Sequence, residues 1–141
     1  MRKIFIDTSA FIALMNPADQ NHQAGQGVWK QLSSGLDELV CNNYVIVETY
    51  ALVQRRLGLS FVRRLEQDLI PFLHVHWVQP DEHEQIVGTL LLVNRRDLSF
   101  VDCASFDTMR RLGLHTAFTF DAHFADQGFT CLPGVSTLSR S

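Results

Sequence analysis

Four carboxylates stand where hydrolytic chemistry could use them: Asp7, Glu48, Asp102 and Asp121. Asp7 closes the short apolar run Ile4-Phe5-Ile6, and Asp121 closes Phe118-Thr119-Phe120. Asp102 heads an apolar stripe, because Phe106 and Met109 fall four and seven residues beyond it on one helix face. Each has an ordinary structural explanation. Asp7 can accept hydrogen bonds from the next helix's N-terminus. Asp102 can complete a capping box with Ser99. Asp121 can begin a turn. Glu48 lies nearly opposite the stripe of Ile46, Tyr50, Val53 and Leu57 and could equally face water. Taken together the acids say more. Carboxylates crowded at one place repel each other unless one keeps its proton or a cation joins them. Oxygen-only donors suit Mg²⁺ or Mn²⁺, and such an ion can assist hydrolysis at a phosphoryl group.

Elements must bring them together. Lys3–Asp7 reads as a buried parallel strand, followed by a helix to about Met15 that Thr8 or Ser9 can cap. A second helix, weakened by Gly25 and Gly27, spans about Asp19–Leu32. A strand at Leu39–Asn42 leads into a long helix over Tyr44–Leu57, which Gly58 ends. Ser60 can cap a further helix to Leu69. A strand is predicted at Val75–Val78, an amphipathic helix at Glu82–Arg95 and another at Ser99–Leu112. Strands at Thr116–Phe120 and Phe129–Leu132 follow, and the tail from about Ser136 is expected to fray. This alternation predicts an α/β domain with a mainly parallel sheet. Right-handed crossovers place the strands' carboxyl ends on one rim, where such sheets bind ligands. Asp7 and Asp121 should share that rim, with Asp102 in the first turn of the helix entered from it.

The bulk composition narrows the class. The 141 residues fit one domain, 46% are hydrophobic, and the apolar runs are too short for a membrane span. No signal peptide is evident, so a cytoplasmic protein is expected. Cys41, Cys103 and Cys131 form no C-x-x-C pair and are expected to be small buried hydrophobes. The net charge of −3 does not advertise nucleic-acid binding, yet eight of the twelve cationic residues form four Arg-Arg pairs. Helix-end charge explains such pairs, and so does contact with phosphates.

The motifs in order resemble the PIN-domain family of metal-dependent ribonucleases, which includes the VapC-type toxins of toxin–antitoxin pairs. "IFIDTSAFIAL", "NYVIVETYALV", "DLSFVDCASF" and "TFDAHFADQGF" carry the resemblance nearly end to end. It implies a three-layer α/β/α sandwich with a five-stranded parallel sheet over residues 1–141. It implies that Asp7, Glu48, Asp102 and Asp121 form one acidic site, with Asp7 and Asp102 the firmest ligands of Mg²⁺ or Mn²⁺, and it turns Glu48 inward. Asp126 matches a position that varies in the family and is a further candidate. Thr8 and Thr119 are expected behind the carboxylates or on a phosphate, and His123 near substrate phosphate. The implied activity is hydrolysis of RNA phosphodiesters, with a small antitoxin protein and a second copy of the chain as partners.

Other chemistries fit less well. A phosphatase of the haloacid dehalogenase type wants an acid where Ser9 stands. A non-toxin RNA-processing nuclease and a non-catalytic RNA- or protein-binding module remain alternatives. His74 and His76 share one strand face but have no third ligand at suitable spacing, so a polar strand edge is expected. Ser105 and Cys103 have no base at a recognisable spacing. Asp97 and Asp107 are expected to be solvated. Trp29 and Trp77 are expected in the core.

Overall fold

The computed structural model describes residues 1–134; the tail expected to fray from Ser136 lies outside them. Its centre is β1 (Arg2–Ile6), where Ile4, Phe5 and Ile6 are fully buried. Consecutive buried residues are what a strand covered on both faces requires. β1 pairs with β2 (Asp37–Asn42) on one side and β4 (Thr116–Phe118) on the other. β3 (Leu73–His76) and β5 (Thr130–Leu132) form the edges, all pairs are parallel, and the order is β3-β2-β1-β4-β5. The chain thus runs outward from β1 to β3 and resumes on the other side of β1. That reversal is the switch point at which open parallel sheets bind ligands.

Helices fill the crossovers. α1 (Thr8–Met15) and α2 (His22–Leu32) join β1 to β2. α3 (Asn43–Leu57), α4 (Leu59–Arg64), a π-turn at Leu65–Leu69 and a 3₁₀ turn at Ile70–Phe72 lead to β3. α5 (Pro80–Val93) and α6 (Phe100–Leu112) return to β4, and the short α7 (His123–Asp126) leads to β5. Since the direction of travel reverses after β3, right-handed crossovers put α1–α4 on one face and α5–α7 on the other. The result is the three-layer sandwich expected from the sequence.

Local chemistry shifts several boundaries. Asp7 itself caps α1, accepting from the Ser9 N–H, so Thr8 and Ser9 lie inside the helix. α2 starts three residues later than expected, after a turn in which Asp19 accepts from the Asn21 N–H. Gly25 is a packing device: a Cβ there would sit 3.2 Å from Ala13 Cβ of α1. Ser60 caps nothing; the helix starts after Gly58, whose φ of +93° suits glycine. β3 lies two residues earlier than expected and β4 stops at Phe118, so Asp121 sits in the turn beyond β4 instead of at its last position. Trp77 is 64% exposed, against the expectation of a core residue. Cys41 and Cys103 are buried and Cys131 is half-buried. His76 pairs with Glu82 at 2.8 Å while His74 is exposed, as a polar strand edge would have them. Among the described residues no helix is long and apolar enough to cross a membrane.

Candidate active site

Asp7 leaves the end of the central strand and is 4% exposed. Its backbone N–H donates to the Phe118 carbonyl of β4 at 3.0 Å. Its Oδ2 accepts from the Ser9 N–H (3.3 Å), the Ser9 hydroxyl (2.7 Å) and the Thr119 hydroxyl (3.0 Å). Both hydroxyls also accept: Ser9 Oγ from the Phe120 N–H and Thr119 Oγ1 from the Asp121 N–H, each at 2.9 Å. Asp7 is thereby locked to the turn that carries Asp121. Burial pushes its carboxyl up to about 6; the Ser9 and Thr119 hydrogen bonds oppose that rise, and the charges of Asp102 and Asp121 add to it.

Asp102 does two things at once. It occupies the third position of α6, and the capping box is real: the Asp102 N–H donates to Ser99 Oγ at 3.0 Å and the Ser99 N–H donates to Asp102 Oδ2 at 3.1 Å. The same side chain lines the acid cleft. Partial burial raises its pKa, the Ser99 backbone hydrogen bond works against this, and the Asp121 charge adds to the rise. Behind it Phe106 and Met109 are buried and hold the helix to the sheet. Glu48 also faces the cleft. Its helix starts at the fully buried Asn42, which accepts from the Val45 N–H at 2.9 Å and donates to Thr108 Oγ1 of α6 at 3.0 Å. That side chain ties Glu48's helix to Asp102's helix, beside the packing of Tyr44 on Phe100.

Asp121 and His123 arrive together. Asp121 Oδ1 accepts from the His123 N–H at 2.9 Å and lies 2.8 Å from the ring Nδ1, close enough for an ion pair though poorly aligned for a ring hydrogen bond. His123 Nε2 reaches Asp97, which Arg95 grips with two hydrogen bonds. Desolvation lowers the His123 pKa, but the Asp121 charge and the Asp97 hydrogen bond outweigh it and the net shift is upward. Phe124, fully buried, anchors α7 through an edge-to-face contact with Phe106 at 4.9 Å and tilted contacts with Phe5 and Phe129. One donor atom each from Asp102, Asp121 and His123 lies within 4.8 Å of the others.

Asp7, Thr8, Glu48, Asp102 and Asp121 line one cleft of about 360 Å³, together with Asp19, Asn21, Leu52 and Arg56. A hollow of about 410 Å³ beside Trp29 and Arg64 gathers no comparable set of acids. All four principal acids read from the sequence therefore meet. Among the described residues Asp102, Asp121 and His123 form the one close triplet of donor atoms. Thr119 stands behind Asp7, as expected. Asp126 is exposed and does not line the cleft, because α7 turns it away while its Phe124 faces the core. Sequence reasoning missed Ser9, Asp19, Asn21, Asp97 and Arg56. Ser9 had a signal, since a serine two residues after a capping aspartate is placed to hydrogen-bond it. Asp97 was expected to be solvated, and Arg56 lay in an arginine pair for which helix-end charge and phosphate contact both stood open.

The donor set suits a hard divalent cation. The three hydrogen bonds on Asp7 all fall on Oδ2; among the described residues Oδ1 receives none. Thr8 Oγ1, on the next residue, is buried and among the described residues has no partner. Partnerless oxygen in a cleft lined by carboxylates is what a cation with its water shell would satisfy.

Such a rim of acids at the switch point of a five-stranded parallel sheet defines a candidate phosphodiester-cleaving site. The PIN domain family profile matches residues 4–129, and the chain belongs to that family. It is 35% identical over 127 residues to the 23S rRNA-specific endonuclease VapC20 of Mycobacterium tuberculosis, covering 89% of this chain and 95% of the relative. The crystal structure of that protein, described as a sarcin-ricin loop cleaving toxin, superposes with a TM-score of 0.78 at 34% identity, over 89% of this chain and 95% of that one. FitAcB from Neisseria gonorrhoeae shares the fold at 17% identity and a TM-score of 0.64, over 87% of this chain and 93% of that one. So does VapBC2 from Rickettsia felis, at 10% and 0.67, over 92% and 96%.

Proposed function

We propose that the chain acts as one metal-dependent ribonuclease domain that hydrolyses RNA phosphodiester bonds in the cytoplasm, as the toxin of a VapBC-type pair restrained by a small antitoxin. The observation that carries this reading is the meeting of Asp7, Glu48, Asp102 and Asp121 in one cleft. The identity to VapC20 makes ribosomal RNA the first substrate to try. A homodimer is part of the same proposal.

Asp102, Asp121 and Asp7 Oδ1 are assigned to hold Mg²⁺ or Mn²⁺, with Glu48 completing the site directly or through water. When bound, the cation supplies Lewis acidity, making water a better nucleophile and offsetting charge on the phosphoryl group. The chain's own residues do the rest. Ser9 and Thr119 hold Asp7 in one rotamer, so its free oxygen is aimed before substrate arrives. Ser99 does the same for Asp102. His123 is kept against Asp121 by Asp97 and stands as a donor beside the cleft. The Thr8 hydroxyl is placed to donate to a phosphate oxygen in the cleft.

The test is cleavage of purified ribosomal RNA with each metal and with chelator, for the wild type and for Asp7→Asn and Asp102→Asn. Cutting that requires metal and falls at least about 100-fold in both variants is expected, because ligands that act as a unit fail together. Absence of cutting on ribosomal and total RNA in either metal would sink the ribonuclease reading. Growth arrest by wild type and not by Asp7→Asn tests the toxin part, and an adjacent short reading frame encoding a neutralising protein tests the antitoxin part. Sedimentation of the full chain tests the dimer.

A further inference from the structure

The acid cleft carries five carboxylates, from Asp7, Asp19, Glu48, Asp102 and Asp121, against one cation, Arg56. Arg56 lies two turns beyond Glu48 on α3, about 12 Å along the axis. Between them the cleft wall is apolar, formed by Leu52 of α3 and Ile12 of α1. Arg56 belongs to one of the four arginine pairs, and both of its members sit in the last turn of α3. Helix-end charge would account for either of them alike. The structure separates them: Arg56 lines the cleft and Arg55 does not.

Arg56 is also uncommitted. The other exposed cations that find carboxylates are Arg2 with Asp37, Lys3 with Glu38, Arg95 with Asp97 and Arg111 with Asp107. Among the described residues Arg56 makes no ion pair. Asp19, which also lines the cleft, accepts from the Asn21 N–H. A free guanidinium beside an apolar wall presents its forked donors to an incoming anion, and a phosphate is the anion whose geometry the fork matches.

We infer that Arg56 grips a phosphate of the RNA that flanks the scissile one, so that the strand lies along α3 with its reacting phosphodiester at the acids and its next stretch at Arg56. The inference rests on the ribonuclease reading and adds a binding contact outside the acidic centre. Arg56 acts on binding and register and touches no reacting atom.

Paired variants test it. Arg56→Ala and Arg55→Ala remove the same charge one residue apart, and Arg56→Lys keeps the charge while losing the fork. Cleavage kinetics on the wild type's own RNA substrate are measured for each. Binding of a labelled single-stranded oligonucleotide containing that sequence is followed against salt in the Asp102→Asn background. For Arg56→Ala we expect KM and Kd to rise about 10- to 100-fold, the range of a charge-assisted hydrogen bond, with the loss falling on KM rather than kcat. The slope of log K against log salt should become shallower by about 0.7, one phosphate contact on a single strand. Arg56→Lys should recover the slope and only part of the affinity. Arg55→Ala should leave KM within twofold. Equal effects of Arg55→Ala and Arg56→Ala would reduce Arg56 to general charge and overturn the inference. So would an unchanged KM, Kd and slope in Arg56→Ala. A wild type that cuts no RNA would instead overturn the ribonuclease reading, a different outcome from a wild type that cuts and an Arg56→Ala that cuts equally well.

Discussion

Asp7 shows how one side chain can be costly to the fold and still be retained. Burial pushes its carboxyl from the ordinary 3.8 up to about 6, more than the Ser9 and Thr119 hydrogen bonds restore, and the charges of Asp102 and Asp121 add to the rise. The folded state therefore holds the proton more tightly than the unfolded chain does. The stabilisation from the protonated form is complete below about 4 and is lost as pH rises through about 6. At pH 7.5 and without metal, ionised Asp7 should cost roughly 1–3 kcal/mol of stability. Asp7→Asn keeps an acceptor for Ser9 and Thr119 and removes the charge. It should raise the melting temperature of the metal-free protein by on the order of 5 °C at pH 7.5 and by much less at pH 4, while abolishing cleavage. Calorimetry at the two pH values decides this; a lower melting temperature at pH 7.5 would mean the hydrogen bonds outweigh the desolvation. At this scale the sequence was informative where burial could be guessed. An acid ending Ile-Phe-Ile must lie at a sheet rim. The sequence named His123 and left phosphate contact open for the arginine pair that holds Arg56, but it could not say which side of a helix end meets the cleft, nor that Asp97 from another loop sets the His123 ring.

Elements carry the acids only as well as they are tied down. The tie between α3 and α6 is Asn42, buried at the end of β2 and bonded to both helices. Asn42→Ala removes an N-cap and leaves Thr108 Oγ1 without its donor, so a loss of about 1–3 kcal/mol is expected in urea unfolding. Because Glu48 and Asp102 sit on the two helices so joined, kcat should fall at temperatures where the variant is still folded. Retention of full kcat would show that the helices hold register without Asn42. Phe124 is the equivalent anchor for α7. Phe124→Leu should cost about 1–2 kcal/mol and lower kcat more than Leu32→Ala does, although Leu32→Ala is expected to cost 2–5 kcal/mol. Leu32 is as deeply buried but lies in α2, so the comparison of stability loss with activity loss separates positioning from plain folding. The helices were largely legible from apolar spacing and from the cap at Ser99, whereas the cap at Asn42 was hidden at the end of the expected strand. Boundaries moved where a short polar turn or a capping side chain competed with the helix, as at Asp19–Asn21 and Asp7.

At the scale of the molecule, strand order was the least legible feature. Nothing in the local pattern says that β1 is central or that β4 returns to its far side. Those follow from which apolar faces pack, and they alone bring residues 7, 48, 102 and 121 together. The resemblance to a family supplied the five-stranded parallel sheet and the acidic set; the order itself came with the structure. The consequence is thermodynamic. A site assembled from β1, α3, α6 and the turn after β4 cannot exist in any partly formed chain, so metal should bind the fully folded protein only. Mg²⁺ or Mn²⁺ at 100 times its dissociation constant should then add about 2.7 kcal/mol to global unfolding. The urea midpoint should shift with the slope unchanged, because the surface exposed on unfolding is the same. Asp102→Asn should show little of this gain, since its loss breaks the close donor triplet. Equilibrium urea unfolding with metal, with chelator and in Asp102→Asn measures all three quantities. If metal protected only amides around the cleft and left the midpoint in place, the site would be a locally ordered patch, and its assembly would not depend on the whole sheet.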